Sequence, residues 1–279
     1  MALLARERKP ILITPNMPQQ VAKVARVLNA LKLSPDPICG VGELPGEGAS
    51  IGASRGERIV KTLDLAGGKS IIDIGCGPVN ENGETIILEV LRKVGVRPPL
   101  YVGVDPTISP KFLGEQGTGT ERVVYLPVSL YQLDESALNH IGKLDLVFSS
   151  MFFGAPIGSS ASIMLKKILA ALTEMFWMDR SQFRSEHPEL EEIESTYKRN
   201  IFHGGIIRDF LEFMTQEYCR RLVKNNGIVA HFVLVSESIP DFEIARAAGL
   251  EVRYSDKIKD GTDDNIGIGT LSLFTPVRS

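Results

Sequence analysis

IIDIGCGPVNENGET, residues 71–85, is the stretch whose reading decides the fold. Ile71 and Ile72 open an apolar, β-branched run, Asp73 places an acid near its end, and Gly75-Cys76-Gly77-Pro78 breaks it. A short apolar strand closed by glycine and followed by a helix is how a parallel α/β unit begins. Glycine lets the backbone turn sharply and lets a ligand approach without a Cβ in the way. The stretch departs from one familiar form. A dinucleotide seat needs G-x-G-x-x-G, so that a pyrophosphate rests on the helix N-terminus. Here Gly75 and Gly77 are followed by Asn80 where the third glycine would stand, and Glu81 and Glu84 add charge expected to repel a pyrophosphate. Asn80, Glu81 and Asn82 are expected to form a small excursion, with Gly83 leading into the helix.

Outward from this turn the same alternation continues. ETIILEVLRKVG (84–95) reads as a helix with a glycine stop, and LYVGVD (100–105), RVVYLPV (122–128), LDLVFSS (144–150) and IVAHFVLVS (228–236) read as buried strands. Fully apolar strands alternating with helices indicate a parallel sheet covered on both faces. Helical spacing predicts further helices at 18–33, 55–65, 161–178, 185–200, 205–227 and 241–249. The last two strands, LEVRYSDKI (250–258) and IGTLSLFTPV (268–277), have no helix between them and are expected to pair antiparallel. The expected fold is α/β: a doubly wound, mostly parallel seven-stranded sheet with an antiparallel last strand, preceded by a helical N-terminal segment. Residues 1–54 are assigned to that segment, capping the site, and 55–279 to the sheet domain, with a helical insertion at 151–204.

Composition excludes several classes of function. With 279 residues, 43% hydrophobic and 23% charged, the chain has ordinary globular make-up. A formal net charge of −3 and a pI near 5.9 present no basic field for nucleic acid or an anionic membrane, so neither is expected as a partner. No run approaches the ~20 apolar residues of a membrane span, and the start lacks the order of a signal peptide. Cys39, Cys76 and Cys219 are odd in number and scattered, which argues against a disulfide framework or a cysteine metal site. No His/Asp/Glu cluster has metal-ligand spacing. A reducing cytoplasm is the expected location.

The segments IIDIGCGP, YVGVD and LDLVFSS, with the closing strand pair, resemble the class I S-adenosylmethionine-dependent methyltransferases over roughly residues 50–279. The resemblance implies S-adenosylmethionine as cofactor, which has no phosphate and carries a sulfonium that tolerates nearby acids. Asp73, Gly75, Cys76, Gly77 and Pro78 would then line its methionine half. Asp105 would hold both ribose hydroxyls, with Pro106 and Thr107 beside the adenine. Val128 and Ser129 fall where many relatives place an acid for the adenine amino group. This chain has none there, which leaves a backbone contact or the Ser129 hydroxyl. Ser149 and Ser150 would form the wall between cofactor and substrate.

Methyl transfer is an in-line displacement that gains most from holding the nucleophile against the methyl in a dry site; a base is needed only for a protonated nucleophile. His203, in NIFHGG ahead of a helix, is the first choice as general base; the alternative is a solvent-facing histidine. Met151, Phe152, Phe153 and Trp177, in the long segment after the fourth strand, are the candidate substrate contacts, although the run 175–178 reads rather as core, since four consecutive residues cannot all face one pocket. His231, inside the fifth strand, reads as a buried, hydrogen-bonded histidine. The helix at 18–33 either closes the pocket or forms a homodimer contact. The expected function is methyl transfer to a small-molecule substrate, the acceptor atom undecided. Two alternatives stay open: a cofactor-binding protein of this fold that catalyses another reaction, and a non-catalytic binding subunit.

Overall fold

The computed structural model describes residues 10–35, 59–63, 68–116, 121–133, 135–150, 155–199, 205–234, 239–258 and 269–277. Most of residues 34–54 and most of the expected helix at 55–65 lie outside these residues, although 59–62 are helical.

The strands are β1 (Ile71–Ile74), β2 (Leu100–Val104), β3 (Gly114–Gln116), β4 (Arg122–Leu126), β5 (Leu144–Ser150), β6 (Val223–Leu234), β7 (Leu250–Ile258) and β8 (Gly269–Pro276). They form one sheet in the order β3-β4-β2-β1-β5-β6-β8-β7. β4, β2, β1, β5 and β6 run parallel, while β8 is antiparallel to both neighbours, β6 and β7. The doubly wound sheet and its antiparallel last strand follow the expectation. The added element is β3, a three-residue antiparallel edge on β4 too short to carry a periodic signal.

The central strands are apolar on both sides because both faces are covered. On one face Ile71, Tyr101, Val123, Leu146 and Phe148 pack with Ile87, Leu88 and Leu91 of α2 (Ile86–Lys93) and with Ile59 and Leu63. On the other, Ile72, Val102, Val147, Val229 and Phe274 pack beneath Cys219 and Leu222 of α7 (Gly205–Leu222) and Leu138 of α3 (Glu135–Ile141). At the amino edge Asp145 ties three strands together. It accepts from the Ser70 N–H and hydroxyl at 2.9 and 2.7 Å and from Lys224 Nζ at 2.7 Å.

A third apolar cluster is built mainly from helices. α1 (Gln19–Ala30) places Val21, Val24, Val27 and Leu28 on one side, at the spacing read from the sequence. They share a core with Met164, Leu165 and Ile168 of α4 (Ala155–Glu174), Leu190 and Ile193 of α6 (Glu189–Arg199), and Phe210 and Phe213 of α7. Asn29 fixes the chain ahead of α1 through paired bonds to Ile11, 2.8 and 2.9 Å.

Two expectations need correction here. The helix expected at 161–178 is two helices, α4 and α5 (Trp177–Glu186), broken at Met175-Phe176. Arg180 supports the break by donating to the Thr173 carbonyl at 3.0 Å and the Met175 carbonyl at 3.4 Å, satisfying the end of α4. The run read as core therefore turns outward: Phe176, Trp177 and Met178 are 83%, 76% and 74% exposed. The second correction concerns β6, which begins at Val223, five residues before the apolar run, because polar Lys224-Asn225-Asn226 also adopt strand geometry. α8 (Phe242–Ala247) completes the elements, capped by Asp241.

Candidate functional site

In an open parallel sheet the ligand crevice lies beyond the carboxyl ends of the strands, where the order reverses. Here that point is β1, flanked by β2 and β5. The chain leaves β1 through Gly75 and Gly77, whose φ angles of 70° and 74° lie in the region only glycine enters freely. The Gly75 N–H donates to the Val104 carbonyl at 2.8 Å, which anchors the turn to the end of β2. No heavy atom lies within 4 Å of where a Cβ on Gly77 would stand, so the turn opens onto clear space.

Asp105 completes the turn from the neighbouring strand. Its Oδ2 accepts the Gly77 N–H at 3.0 Å; its Oδ1 accepts the Thr107 N–H at 2.7 Å and hydroxyl at 2.5 Å. A carboxylate offers about four acceptor positions. Three are taken, so one remains, on Oδ2. Pro106 and Thr107 follow, both exposed at the rim.

Asp73 and Cys76 are both buried in the turn. Asp73 is fully buried beneath the turn. Its Oδ2 accepts from the Tyr101 hydroxyl at 2.6 Å, and that hydroxyl lies 2.6 Å from Thr85 Oγ1, which caps α2 by accepting from the Leu88 N–H. Its Oδ1 is buried without a hydrogen-bond partner. Burial raises the carboxyl to about 7, the Tyr101 hydroxyl opposes this, and the nearby Asp105 charge adds to it. Asp73 therefore holds the turn from below. Cys76 is buried too, and burial with the charges of Asp73 and Asp105 pushes its thiol well above its usual range, so it stays protonated and unreactive. Pro78 is exposed on the outer side of the turn.

The excursion expected at Asn80–Asn82 is present, and Asn80 organises it. Its Oδ1 accepts the Asn82 and Glu84 N–H groups, both at 3.0 Å; its carbonyl accepts the Gly83 N–H, and its own N–H donates to the Glu84 carbonyl. The Tyr125 hydroxyl fastens the far side by donating to the Gly83 carbonyl at 2.7 Å. The helix begins only at Ile86, behind a fully buried Thr85. The helix thus starts nine residues after Gly77, not directly at the turn as a dinucleotide seat requires. The expected repulsion from Glu84 does not hold, because Glu84 is ion-paired with Arg92, whose guanidinium also reaches Glu121 at 3.0 Å.

On the other side of the crevice, the Val128 N–H donates to the Leu126 carbonyl at 2.8 Å. Both backbone groups of Ser129 are engaged with Gln132, at 2.9 and 3.0 Å. Ser149 is buried, with its hydroxyl 2.7 Å from His231 Nδ1, and His231 Nε2 lies 3.1 Å from Gln216 Oε1. With that oxygen accepting, Nε2 carries the proton and Nδ1 accepts from Ser149. Burial lowers the imidazole to about 3, so it is neutral. Ser150 closes β5. Met151, Phe152, Phe153 and His203 lie outside the described residues, and Trp177 is exposed at the start of α5.

No family model and no curated protein sequence matches the chain. Solved structures similar to it include TrmN from Thermus thermophilus, 12% identical over 80% of this chain and 48% of that one, TM-score 0.41. A TehB-like SAM-dependent methyltransferase from Corynebacterium glutamicum is 16% identical over 79% and 87%, TM-score 0.40. The N-methyltransferase NodS from Bradyrhizobium japonicum WM9 is 8% identical over 80% and 94%, TM-score 0.41. The chain thus spans about half the length of TrmN. These overlaps are loose. The fold stands on the strand order of this chain, and the site on its own hydrogen bonds.

Four residues of this site were not among the candidates: Asn80, Thr85, Tyr101 and Tyr125. The two tyrosines carried a readable signal, because a hydroxyl on a strand covered on both faces must find a buried partner.

Proposed function

We propose that the chain is an S-adenosylmethionine-dependent methyltransferase acting on a small-molecule acceptor. The observation that carries this reading is Asp105. It is a buried carboxylate at the end of β2 that holds the Gly77 amide and keeps one acceptor position open, at the point where the strand order reverses. That arrangement suits a ribose hydroxyl, and the turn beside it suits a ligand without phosphates. The cofactor, when bound, supplies a methyl group on a sulfonium.

The chain's own residues divide the remaining work. The backbone of Gly75, Cys76 and Gly77 lines the methionine half, fixed from below by Asp73 through Tyr101. Asp105 binds the ribose, with Pro106 and Thr107 at the adenine rim and Val128 and Ser129 on the opposite side. Ser149, held by His231, and Ser150 form the inner wall. Met151, Phe152, Phe153 and Trp177 are assigned to the acceptor, and His203 to proton removal where the acceptor arrives protonated. The acidic chain, net charge −3, supports a small acceptor over a nucleic acid.

The test is transfer of labelled methyl from S-adenosylmethionine in extract separated into small-molecule and RNA fractions. Label in the small-molecule fraction is expected. Label confined to RNA overturns the acceptor class, and no label in either, despite cofactor binding, points to the binding-subunit alternative.

A further inference from the structure

The opposite edge of the sheet carries a second concave site. A cavity of about 560 Å³ lies where α3, α7 and α8 end and β5 and β7 begin, remote from the carboxyl edge that bears the glycine turn. It is lined by Leu138, Asn139, Lys143, Glu217, Arg220 and Arg221, with Gly142 and Ala248 closing the walls. Its volume falls in the range of small-ligand pockets. Three cations face one carboxylate in a chain whose net charge is −3.

Cations at the end of α7 are expected from the helix dipole, and that accounts for Arg220 and Arg221 being there. It does not account for Lys143 and Asn139 on a separate element completing the opposite wall. Nor does it account for how the arginines are held. The Arg220 stem packs over Gly249, where a Cβ would lie 3.7 Å from its Cγ and Nε, and Arg221 rests over the Tyr218 ring at 5.8 Å. Among the described residues neither Lys143 nor Arg220 forms an ion pair. Guanidinium groups held by packing lose little freedom on meeting an oxyanion and can meet it with two bonds each.

We propose that this cleft binds a phosphate group, free or as a small phosphate monoester, through Lys143, Arg220 and Arg221. Asn139 adds an amide donor, and Leu138 and Ala248 offer apolar surface to the rest of a monoester. Glu217 opposes the ligand: burial raises its carboxyl above the usual range while Arg221 pulls it down, and its charge repels phosphate when ionised. The site is separate from the glycine turn, so its occupancy is independent of cofactor chemistry.

Calorimetric titration of the full chain with inorganic phosphate, and separately with glycerol 3-phosphate, tests this at fixed pH and chloride-matched ionic strength, with glycerol as control. Saturable binding is expected for at least one phosphate species and none for glycerol. A tighter glycerol 3-phosphate points to an ester ligand, and equal affinities to the phosphate group alone. Lys143→Gln with Arg220→Gln should weaken binding at least tenfold, and Glu217→Gln should tighten it. Both variants should keep the far-UV circular dichroism and the S-adenosylhomocysteine affinity of the parent. Absence of binding by both phosphate species, or equal binding by the folded double variant, overturns the proposal.

Discussion

Replacing Asp73 by Asn should stabilise the protein, and by an amount that depends on pH in a calculable way. Asp73 is fully buried, with one oxygen hydrogen-bonded to Tyr101 and the other without a partner. Its carboxyl is raised from 3.8 to about 7 in the folded chain. The folded state therefore holds a proton that the unfolded state has released between these values. Stability falls as pH rises through that interval, by about 1.4 kcal/mol per pH unit, and levels off above the folded value. The accumulated loss is about 4 kcal/mol as an upper bound. Asparagine keeps an acceptor for Tyr101 and never ionises. The variant should match the parent near pH 4, gain steadily to pH 7, and hold a constant advantage above it. Glu212, raised to about 7 chiefly by burial, contributes the same slope to both proteins and cancels in the difference. Urea unfolding from pH 4.5 to 8.5 reads the effect. Far-UV circular dichroism is the better probe, because Trp177, the single tryptophan, is already 76% exposed when folded. A difference independent of pH, or a variant that grows less stable as pH rises, would refute the reasoning.

Two further substitutions probe the scaffold of the turn. Asn80→Ala removes the acceptor for the Asn82 and Glu84 amides. It should cost about 1–2 kcal/mol in urea unfolding and weaken S-adenosylhomocysteine binding, whereas unchanged stability would dismiss Asn80 as the organiser. Gly103→Ala would set a Cβ 2.8 Å from Tyr125 Cδ1 and 3.1 Å from Cys76 Sγ. Loss of about 1–3 kcal/mol is expected from overpacking, and a parental unfolding midpoint would show that the tyrosine moves aside without cost.

How far the fold could be read in advance depended on what each segment buries. β1, β2, β4 and β5 were legible because strands covered on both faces must be largely apolar, and IIDI, LYVGV, RVVYL and LDLVFSS carry apolar, mostly β-branched or aromatic centres. The boundary of β6 was not, because Lys224, Asn225 and Asn226 lie in an irregularity between the Val223 and Ile228 pairings with β5, and polar side chains there do not advertise a strand. The break before α5 was hidden for the opposite reason. Met175 to Met178 look like core, but Arg180 ends α4 by bonding its last carbonyls, which leaves three of those side chains in solvent. At the site, the glycines and Asp105 were readable from their motif. The division of labour between the two acids was not, since it turns on Tyr101 lying in reach of Asp73, a fact of sheet register.

Calorimetric titration of S-adenosylhomocysteine into the parent protein and an Asp105→Ala variant tests the central claim most directly. The account predicts one-site binding to the parent and a loss of about 1–3 kcal/mol, roughly ten- to a hundredfold, in the folded variant. Equal affinity in both proteins, or no binding to the parent up to high micromolar ligand, would contradict it.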